Sequence, residues 1–158
     1  MPVVPQLIFV SRIVSLLVPL VPVVHSLLVN NPGNERGYLH ADWPYNATNG
    51  SHISPPYPDA VLAISTLLFL TDFSAENGST AAIPSSHRTL NNPADGNMKH
   101  ALGVDQDQPF ASELQVEGQA GDVLLWDARL WHRVTENRST APRVAISVGF
   151  VPWWLVRC

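Results

Sequence analysis

Two histidines and one aspartate have the residue types and the spacing that metal chemistry requires. His40 and Asp42 form a His-x-Asp pair, and His132 follows far downstream in the sequence Leu130-Trp131-His132. Side chains at positions i and i+2 of a β-strand point to the same face, so one short strand can present an imidazole nitrogen and a carboxylate oxygen together. Two imidazoles and one carboxylate are the facial ligand set of a non-haem iron(II) site with open positions. We therefore predict an iron site whose third ligand, His132, comes from another strand.

One of the reactions open to such a site is oxidation with a 2-oxo acid, such as 2-oxoglutarate, as co-substrate. An iron held on one face can bind a 2-oxo acid through its keto oxygen and adjacent carboxylate and still leave one position for O2. Oxidative decarboxylation gives succinate, CO2 and an oxidant that attacks a C–H bond, while the protein supplies positioning and a dry pocket. The far carboxylate of 2-oxoglutarate needs a fixed cation, and a planar guanidinium can bind it bidentately.

Arg143 is the favoured candidate for that cation. It begins the alternating apolar run of residues 144–150, so we expect it to point into a barrel interior, where its charge needs a partner. Arg133 and Arg138 are close rivals, although Asn137-Arg138-Ser139 is typical of a turn.

Four blocks of sequence, in order, carry a resemblance to a known family. They are residues 37–43, 70–88, 121–132 and 137–145. Together they resemble the phytanoyl-CoA dioxygenase family of iron(II)- and 2-oxoglutarate-dependent oxygenases over roughly residues 36 to 154. The most family-specific piece is the second block, with its Glu-Asn-Gly turn and Pro-Ser-Ser-His-Arg ending.

The resemblance implies a role for individual residues. It implies that His40, Asp42 and His132 bind iron and that Arg143 binds 2-oxoglutarate, at the expected spacing of 143 − 132 = 11 residues. Ser85 stands where the family usually has glycine before Ser-His, so we expect this turn to avoid a positive φ.

The pattern of elements indicates an all-β fold, a double-stranded β-helix (jelly roll, cupin-like) with long loops. The strand-like runs are residues 38–42, 61–73, 80–83, 113–116, 122–127, 130–135 and 143–153. Residues 44–59 are rich in proline, asparagine and glycine, which predicts a long loop over the opening of the metal site. Trp43, Tyr45 and Trp126 are candidates for the walls of a substrate pocket, with core packing as the alternative.

Residues 1–30 form an irregular apolar segment that we separate from a jelly-roll core at residues 31–158. It is interpreted as an abridged family N-terminus, with buried strands or a membrane contact through residues 1–29 as alternatives. Pro19 and Pro22 disfavour a membrane-spanning helix.

Composition excludes other classes of function. Charged residues are only 14% of the 158-residue chain and form no basic stripe, so we expect no nucleic-acid partner. The single cysteine, Cys158, offers no internal disulfide, which favours an intracellular, cytoplasmic location. Asn-x-Ser/Thr sequences begin at Asn46, Asn49, Asn77 and Asn137, and we interpret them as turns rather than glycosylation sites.

The function expected from these features is an iron(II)/2-oxoglutarate dioxygenase that uses O2, with ascorbate as a supporting reductant. It would hydroxylate a small-molecule or lipid-like substrate and release succinate and CO2. The alternative is a non-catalytic metal-binding jelly-roll scaffold, or an incomplete fragment of such an enzyme. The sequence does not select between a CoA thioester, a free acid and other small molecules.

Overall fold

The computed structural model describes residues 20–42, 61–89 and 109–155. Within these ranges the chain forms seven β-strands and two short 3-10 turns, and no α-helix. The strands are β1 (Leu20–Asn30), β2 (Ile64–Phe69), β3 (Thr80–Ala82), β4 (Leu114–Gln115), β5 (Val123–Asp127), β6 (His132–Val134) and β7 (Arg143–Pro152). The 3-10 turns are Ser86–Arg88 and Trp153–Leu155. The prediction of an all-β fold is confirmed.

The strands form two antiparallel sheets. The large sheet has the order β1-β7-β2-β5, and the small sheet has the order β4-β3-β6. Neighbouring strands within a sheet are mostly distant in sequence, as a jelly roll requires. The long strand β7 pairs with β1 on one side and β2 on the other, so it connects the N-terminal strand to the rest of the large sheet.

Apolar side chains fill the interior in separate clusters. The central cluster contains Leu67, Phe69, Phe73, Trp126, Leu130 and Ala145. Within it, the rings of Phe69 and Phe73 stack with their centroids 3.6 Å apart. A second cluster contains Leu39, Ala41, Ile83 and Trp131 and holds the segment that leads to Asp42. Burial of each large apolar side chain stabilises the fold by about 1.5–3 kcal/mol.

The apolar N-terminal segment is predicted to be irregular, but its described part forms the first strand. Residues 20–30 form β1, which pairs with β7 along its length, from Leu20 opposite Pro152 to Asn30 opposite Arg143. Its outward side chains are not buried by the described residues, since Leu27 is 64% exposed. Among the described residues, no helix is long and apolar enough to cross a membrane.

The turn before the first 3-10 segment corrects one expectation. Ser85 adopts φ 65° and ψ 0°, so the turn keeps a positive φ without glycine. This left-handed conformation costs a non-glycine residue roughly 1–2 kcal/mol. The hydroxyl of Ser86 offsets part of that cost, because it donates to the Ile83 carbonyl at 2.7 Å and accepts from the Trp131 N–H at 2.8 Å.

Candidate metal centre

His40, Asp42 and His132 converge at one point. One ligand atom from each lies within 4.8 Å of the others. The Asp42 Oδ1 atom lies 3.8 Å from His40 Nε2 and 3.6 Å from His132 Nε2. The structure therefore brings together the three residues that the sequence placed at a metal site.

The His-x-Asp pair is positioned by a segment that is not the regular strand expected over residues 38–42. Only His40 forms a β-bridge, opposite His132, and Asp42 N–H donates separately to the Ala128 carbonyl at 2.9 Å. The backbone is extended enough for alternation to hold, because Leu39 and Ala41 are buried in the second cluster while His40 and Asp42 face the site. The expected strand is wrong, but the same-face argument drawn from it is correct.

Both histidine rings are held by backbone carbonyls two residues earlier. His40 Nδ1 lies 3.2 Å from the Tyr38 carbonyl oxygen, and His132 Nδ1 lies 2.9 Å from the Leu130 carbonyl oxygen. A carbonyl can only accept, so each Nδ1 carries the proton and each neutral ring has its lone pair on Nε2. Such hydrogen bonds orient metal-binding histidines and fix their tautomer.

Ser65 fixes the carboxylate. It lies on β2, and its hydroxyl donates to Asp42 Oδ2 at 2.5 Å. The other oxygen, Oδ1, faces both histidines, so the hydrogen bond leaves one oxygen of Asp42 for a cation. The sequence did not indicate Ser65, because only the packing of β2 against the His-x-Asp segment brings it to Asp42.

Burial also favours the metal-binding form of His132. Desolvation lowers the pKa of His132, and the neighbouring His40 lowers it further, while Asp42 and the Leu130 carbonyl act in the opposite direction. The net lowering keeps the imidazole neutral at neutral pH, with its Nε2 lone pair available to an ion.

Arg143 lies at the start of β7 and is almost fully buried, with 3% exposure. One terminal nitrogen donates to the Gly78 carbonyl at 3.0 Å, and the guanidinium carbon lies 4.5 Å from the centre of the Phe73 ring. The Nε atom is buried and has no hydrogen-bond partner in the described part of the chain. Burial lowers the pKa of Arg143 to about 10, so the side chain is still charged at neutral pH.

The Asn77-Gly78 turn, together with Asn30 and Asn137, positions the carbonyl to which Arg143 donates. The Gly78 carbonyl accepts from Asn30 Nδ2 at 2.9 Å as well as from Arg143. Gly78 has φ 72°, and a Cβ atom there would lie 2.5 Å from the Thr135 carbonyl oxygen, so this position requires glycine. Asn137 Nδ2 donates to the Asn30 carbonyl at 2.7 Å.

Asn77 and Asn137 therefore have turn-forming roles, as predicted. Asn77 Nδ2 donates to the Asp72 carbonyl at 2.7 Å, and Asn137 is only 1% exposed. Asn46 and Asn49 lie outside the described residues.

The rival arginines have other partners. Arg133 is fully buried and makes a two-point ion pair with Glu113, at 3.1 Å and 2.6 Å. Arg138 is 63% exposed at its side chain and lies 3.7 Å from Glu136. Arg143 is thus the one of the three that is buried beside no described carboxylate.

Of the pocket candidates, Trp126 is described, whereas Trp43, Tyr45 and the long loop at residues 44–59 lie outside the described residues. Trp126 is buried in the central cluster, and its ring meets the His132 ring edge-on with centroids 5.1 Å apart. His87 lies in the 3-10 turn and is not part of the ligand cluster.

The donor set fits iron and an anionic co-substrate. Two neutral imidazoles and a carboxylate suit iron(II), and the buried, incompletely paired guanidinium of Arg143 suits a carboxylate.

Known proteins match this chain over most of its length. Residues 9–145 match the family described as phytanoyl-CoA dioxygenase (PhyH). Dioxygenase andF of Emericella variicolor is 31% identical over 131 residues, which cover 80% of this chain and 39% of that protein. Dioxygenase trt7 of Aspergillus terreus is 31% identical over 121 residues, or 77% of this chain and 37% of that protein.

A solved structure has the same fold. HygX from Streptomyces hygroscopicus with iron bound is 21% identical, with a TM-score of 0.64 over 86% of this chain and 60% of that one. HygX has also been solved with nickel, 2-oxoglutarate and hygromycin B bound. The present chain spans about two fifths of the length of the curated relatives it matches. By the match over residues 9–145, the chain belongs to the phytanoyl-CoA dioxygenase family.

Proposed function

We propose that this chain is an iron(II)- and 2-oxoglutarate-dependent dioxygenase that hydroxylates a small molecule. The observation that carries the proposal is the combination of the convergent ligand triad with a buried arginine that lacks a full set of partners. Membership of the family and the names of the two relatives support the same reaction class.

Each residue has a role in this proposal. His40 and His132 bind iron through Nε2, and Asp42 binds it through Oδ1 while Ser65 holds Oδ2. Arg143 binds the far carboxylate of 2-oxoglutarate, which gives its buried charge a counterion that none of the described residues provides.

The overall reaction balances with one co-substrate molecule for each product molecule. When bound, iron supplies the activation of O2 that couples decarboxylation of 2-oxoglutarate to oxidation of a C–H bond. One oxygen atom enters succinate and the other enters the hydroxylated product, with CO2 released.

The substrate is proposed only as a class. HygX, which shares the fold, has been solved with the small molecule hygromycin B. A small or lipid-like molecule would approach the half-exposed side of His40 and Asp42, whose side chains are 32% and 29% exposed. We also propose an intracellular location, because the single cysteine leaves no pair for a disulfide within the chain.

Succinate release tests this proposal. Purified protein is incubated with iron(II), 2-oxoglutarate, ascorbate and O2 over a panel of small-molecule and acyl substrates. We expect succinate formation above background in the wild type and none in His132→Ala, which lacks one of the three ligands. Background release by a folded, iron-bound wild type across the panel would contradict catalysis.

That negative outcome would support the second candidate, a metal-binding scaffold. The scaffold predicts iron binding that depends on His132 together with no measurable binding of 2-oxoglutarate.

A further inference from the structure

Trp126 carries a buried hydrogen-bond donor that the fold does not use. Its residue exposure is 5%, and its indole Nε1 atom has no hydrogen-bond partner in the described part of the chain. An indole N–H can only donate, and leaving a buried donor unsatisfied is unfavourable. Buried donors without partners are rare in native proteins, so this one needs an explanation.

The location of the ring points to the metal centre. Trp126 is directly opposite Ser65 in the β2–β5 pair, and residues directly opposite in an antiparallel pair share a face. Ser65 holds Asp42, and the Trp126 ring meets the ring of His132 edge-on at 5.1 Å. The indole therefore lies against the residues that form the metal-binding end of the interior.

A second buried donor, also without a partner among the described residues, lies against the same cluster. Arg143 Nε is buried and unpaired, and its guanidinium lies over Phe73, which belongs to the central cluster together with Trp126. The two unsatisfied donors are thus connected by one apolar cluster. A molecule with oxygen acceptors at both ends and carbon between them complements this arrangement.

We propose that the indole N–H of Trp126 donates a hydrogen bond to the 2-oxo acid head of the co-substrate, the end that chelates the metal, while Arg143 binds the far carboxylate. This inference rests on the proposed function and assigns Trp126 to the co-substrate rather than to the wall of the substrate pocket. The hydrogen bond goes to a charged acceptor in a buried site, where such bonds are strongest.

A comparison of two ligands distinguishes the contribution of each end of the co-substrate to binding. Pyruvate has the same 2-oxo acid head as 2-oxoglutarate and lacks the far carboxylate. Binding of each is measured by calorimetry on nickel(II)-loaded protein, with the wild type, Trp126→Phe and Arg143→Met. Trp126→Phe keeps an aromatic ring and removes only the N–H and part of the ring volume. Trp131→Phe is the matched control, because Trp131 is buried in the second cluster.

The expected pattern is specific. Trp126→Phe should weaken the binding of 2-oxoglutarate and of pyruvate by the same factor, about 10- to 100-fold. A loss of this size is typical when a hydrogen bond to a charged group is removed. Arg143→Met should weaken 2-oxoglutarate and leave pyruvate unchanged. Trp131→Phe should leave the affinities for both ligands within twofold.

Nuclear magnetic resonance provides a readout that packing alone would not change. In zinc(II)-loaded, 15N-labelled wild type, 2-oxoglutarate should move the Trp126 indole N–H resonance downfield, and pyruvate should do the same. The resonance is assigned by its loss in Trp126→Phe.

An unmoved resonance, together with Trp126→Phe affinities within twofold of the wild type, would overturn the inference and leave Trp126 as a packing residue. Failure of the wild type itself to bind 2-oxoglutarate would overturn the proposed function, and this inference with it. The two failures are therefore distinguishable.

Discussion

Two buried arginines in this chain have opposite surroundings. Arg133 is fully buried and its guanidinium contacts both oxygens of Glu113, at 3.1 Å and 2.6 Å. Arg143 is 3% exposed and contacts one neutral carbonyl, that of Gly78, and the face of Phe73. One buried charge has its counterion within the fold, and the other has none among the described residues.

The difference separates a structural role from a binding role. A buried charge is strongly unfavourable unless it is paired and hydrogen-bonded. The pair of Arg133 with Glu113 meets that requirement within the chain, so its energetic contribution is to the fold. Arg143 lies beside a carbonyl and an aromatic ring, so it meets that requirement only in part. An anionic ligand would supply the missing ion pair. Substitution of each arginine tests this difference.

The largest effect on stability is expected at Arg133. Arg133→Met leaves Glu113 with Arg36 as its remaining guanidinium partner, and breaking a buried ion pair costs about 3–5 kcal/mol. The free energy of unfolding, measured by urea denaturation, should fall by about that amount. A loss below about 1 kcal/mol, the range of surface ion pairs, would mean that Arg133 is not a structural residue.

At Arg143 the expected effect is on binding rather than stability. Arg143→Met should raise the dissociation constant for 2-oxoglutarate by about 100-fold or more, because a charged, buried hydrogen-bonding partner is lost. The free energy of unfolding without ligand should change by less than about 1 kcal/mol, since a partly unsatisfied charge is removed along with its contacts. Calorimetry gives the dissociation constant and urea denaturation gives the free energy of unfolding, both on one protein sample.

Equal stability losses in the two variants would erase the contrast between the arginines. Arg143→Lys serves as a control, because it keeps the charge and loses the fork that binds a carboxylate bidentately. Its affinity for 2-oxoglutarate should lie between those of the wild type and Arg143→Met.

The sequence placed both arginines among the candidates for the anion site, and their chemical type could not separate them. Arg133 follows a metal-site histidine and Arg143 begins an alternating run, but partnership depends on Glu113, which lies 20 residues before Arg133. Only the packing of the segment before β4 against β6 brings that carboxylate to Arg133. The family resemblance favoured Arg143 as the anion-binding residue. The physical reason is that Arg133 is paired with Glu113, whereas Arg143 lies beside no described carboxylate.

A smaller effect is expected at the metal end. Ser65→Ala removes the hydrogen bond to Asp42 Oδ2 and should weaken iron(II) binding about 10-fold, the lower limit for loss of an outer hydrogen bond to a ligand. Thr66→Val is the matched control, because the Thr66 hydroxyl donates to the Val148 carbonyl and does not contact the triad. Iron(II) affinity that is equal in both variants would show that Ser65 does not position Asp42.

The smallest effect concerns acid stability at the paired arginine. Burial raises the pKa of Glu113, but hydrogen bonds from Arg133 and the Phe110 N–H, with the charges of Arg133 and Arg36, outweigh it and lower the pKa. A carboxyl whose pKa is lower in the folded than in the unfolded state contributes stability above its unfolded pKa. That stability is lost as the pH falls below about 4.5 and through the folded value.

The free energy of unfolding should therefore fall more steeply with acid in the wild type than in Glu113→Gln. Urea denaturation between neutral pH and about pH 3 gives both slopes, because this range extends below the unfolded pKa of the carboxyl. Identical slopes would show that Glu113 does not hold its charge through the ion pair.

Sequence reasoning identified six of the seven described strands and the His40–Asp42 pair from local rules. It predicted an irregular segment where residues 20–30 form β1, and it depended on the family resemblance for His132. Alternation predicts the strands, and i, i+2 geometry places His40 and Asp42 on one side. It missed the parts that depend on contacts between distant segments: the Ser65 hydrogen bond, the Asn30 and Asn137 network, and the positive φ of Ser85. Ser65 and Asn30 have no type or spacing that distinguishes them from an ordinary polar residue in a strand. The glycine that the family usually has at the position of Ser85 was a signal for a positive φ, and the prediction from it was wrong.

The most direct test of the central claim is an anaerobic titration of iron(II)-loaded protein with 2-oxoglutarate, followed by the visible charge-transfer band of the chelate. We predict a saturable band in the wild type, no band in His132→Ala, and a band in Arg143→Met only at about 100-fold higher co-substrate concentration. The proposed function would be contradicted by a folded, iron-bound wild type without the band. It would also be contradicted by Arg143→Met reaching saturation at the same 2-oxoglutarate concentration as the wild type.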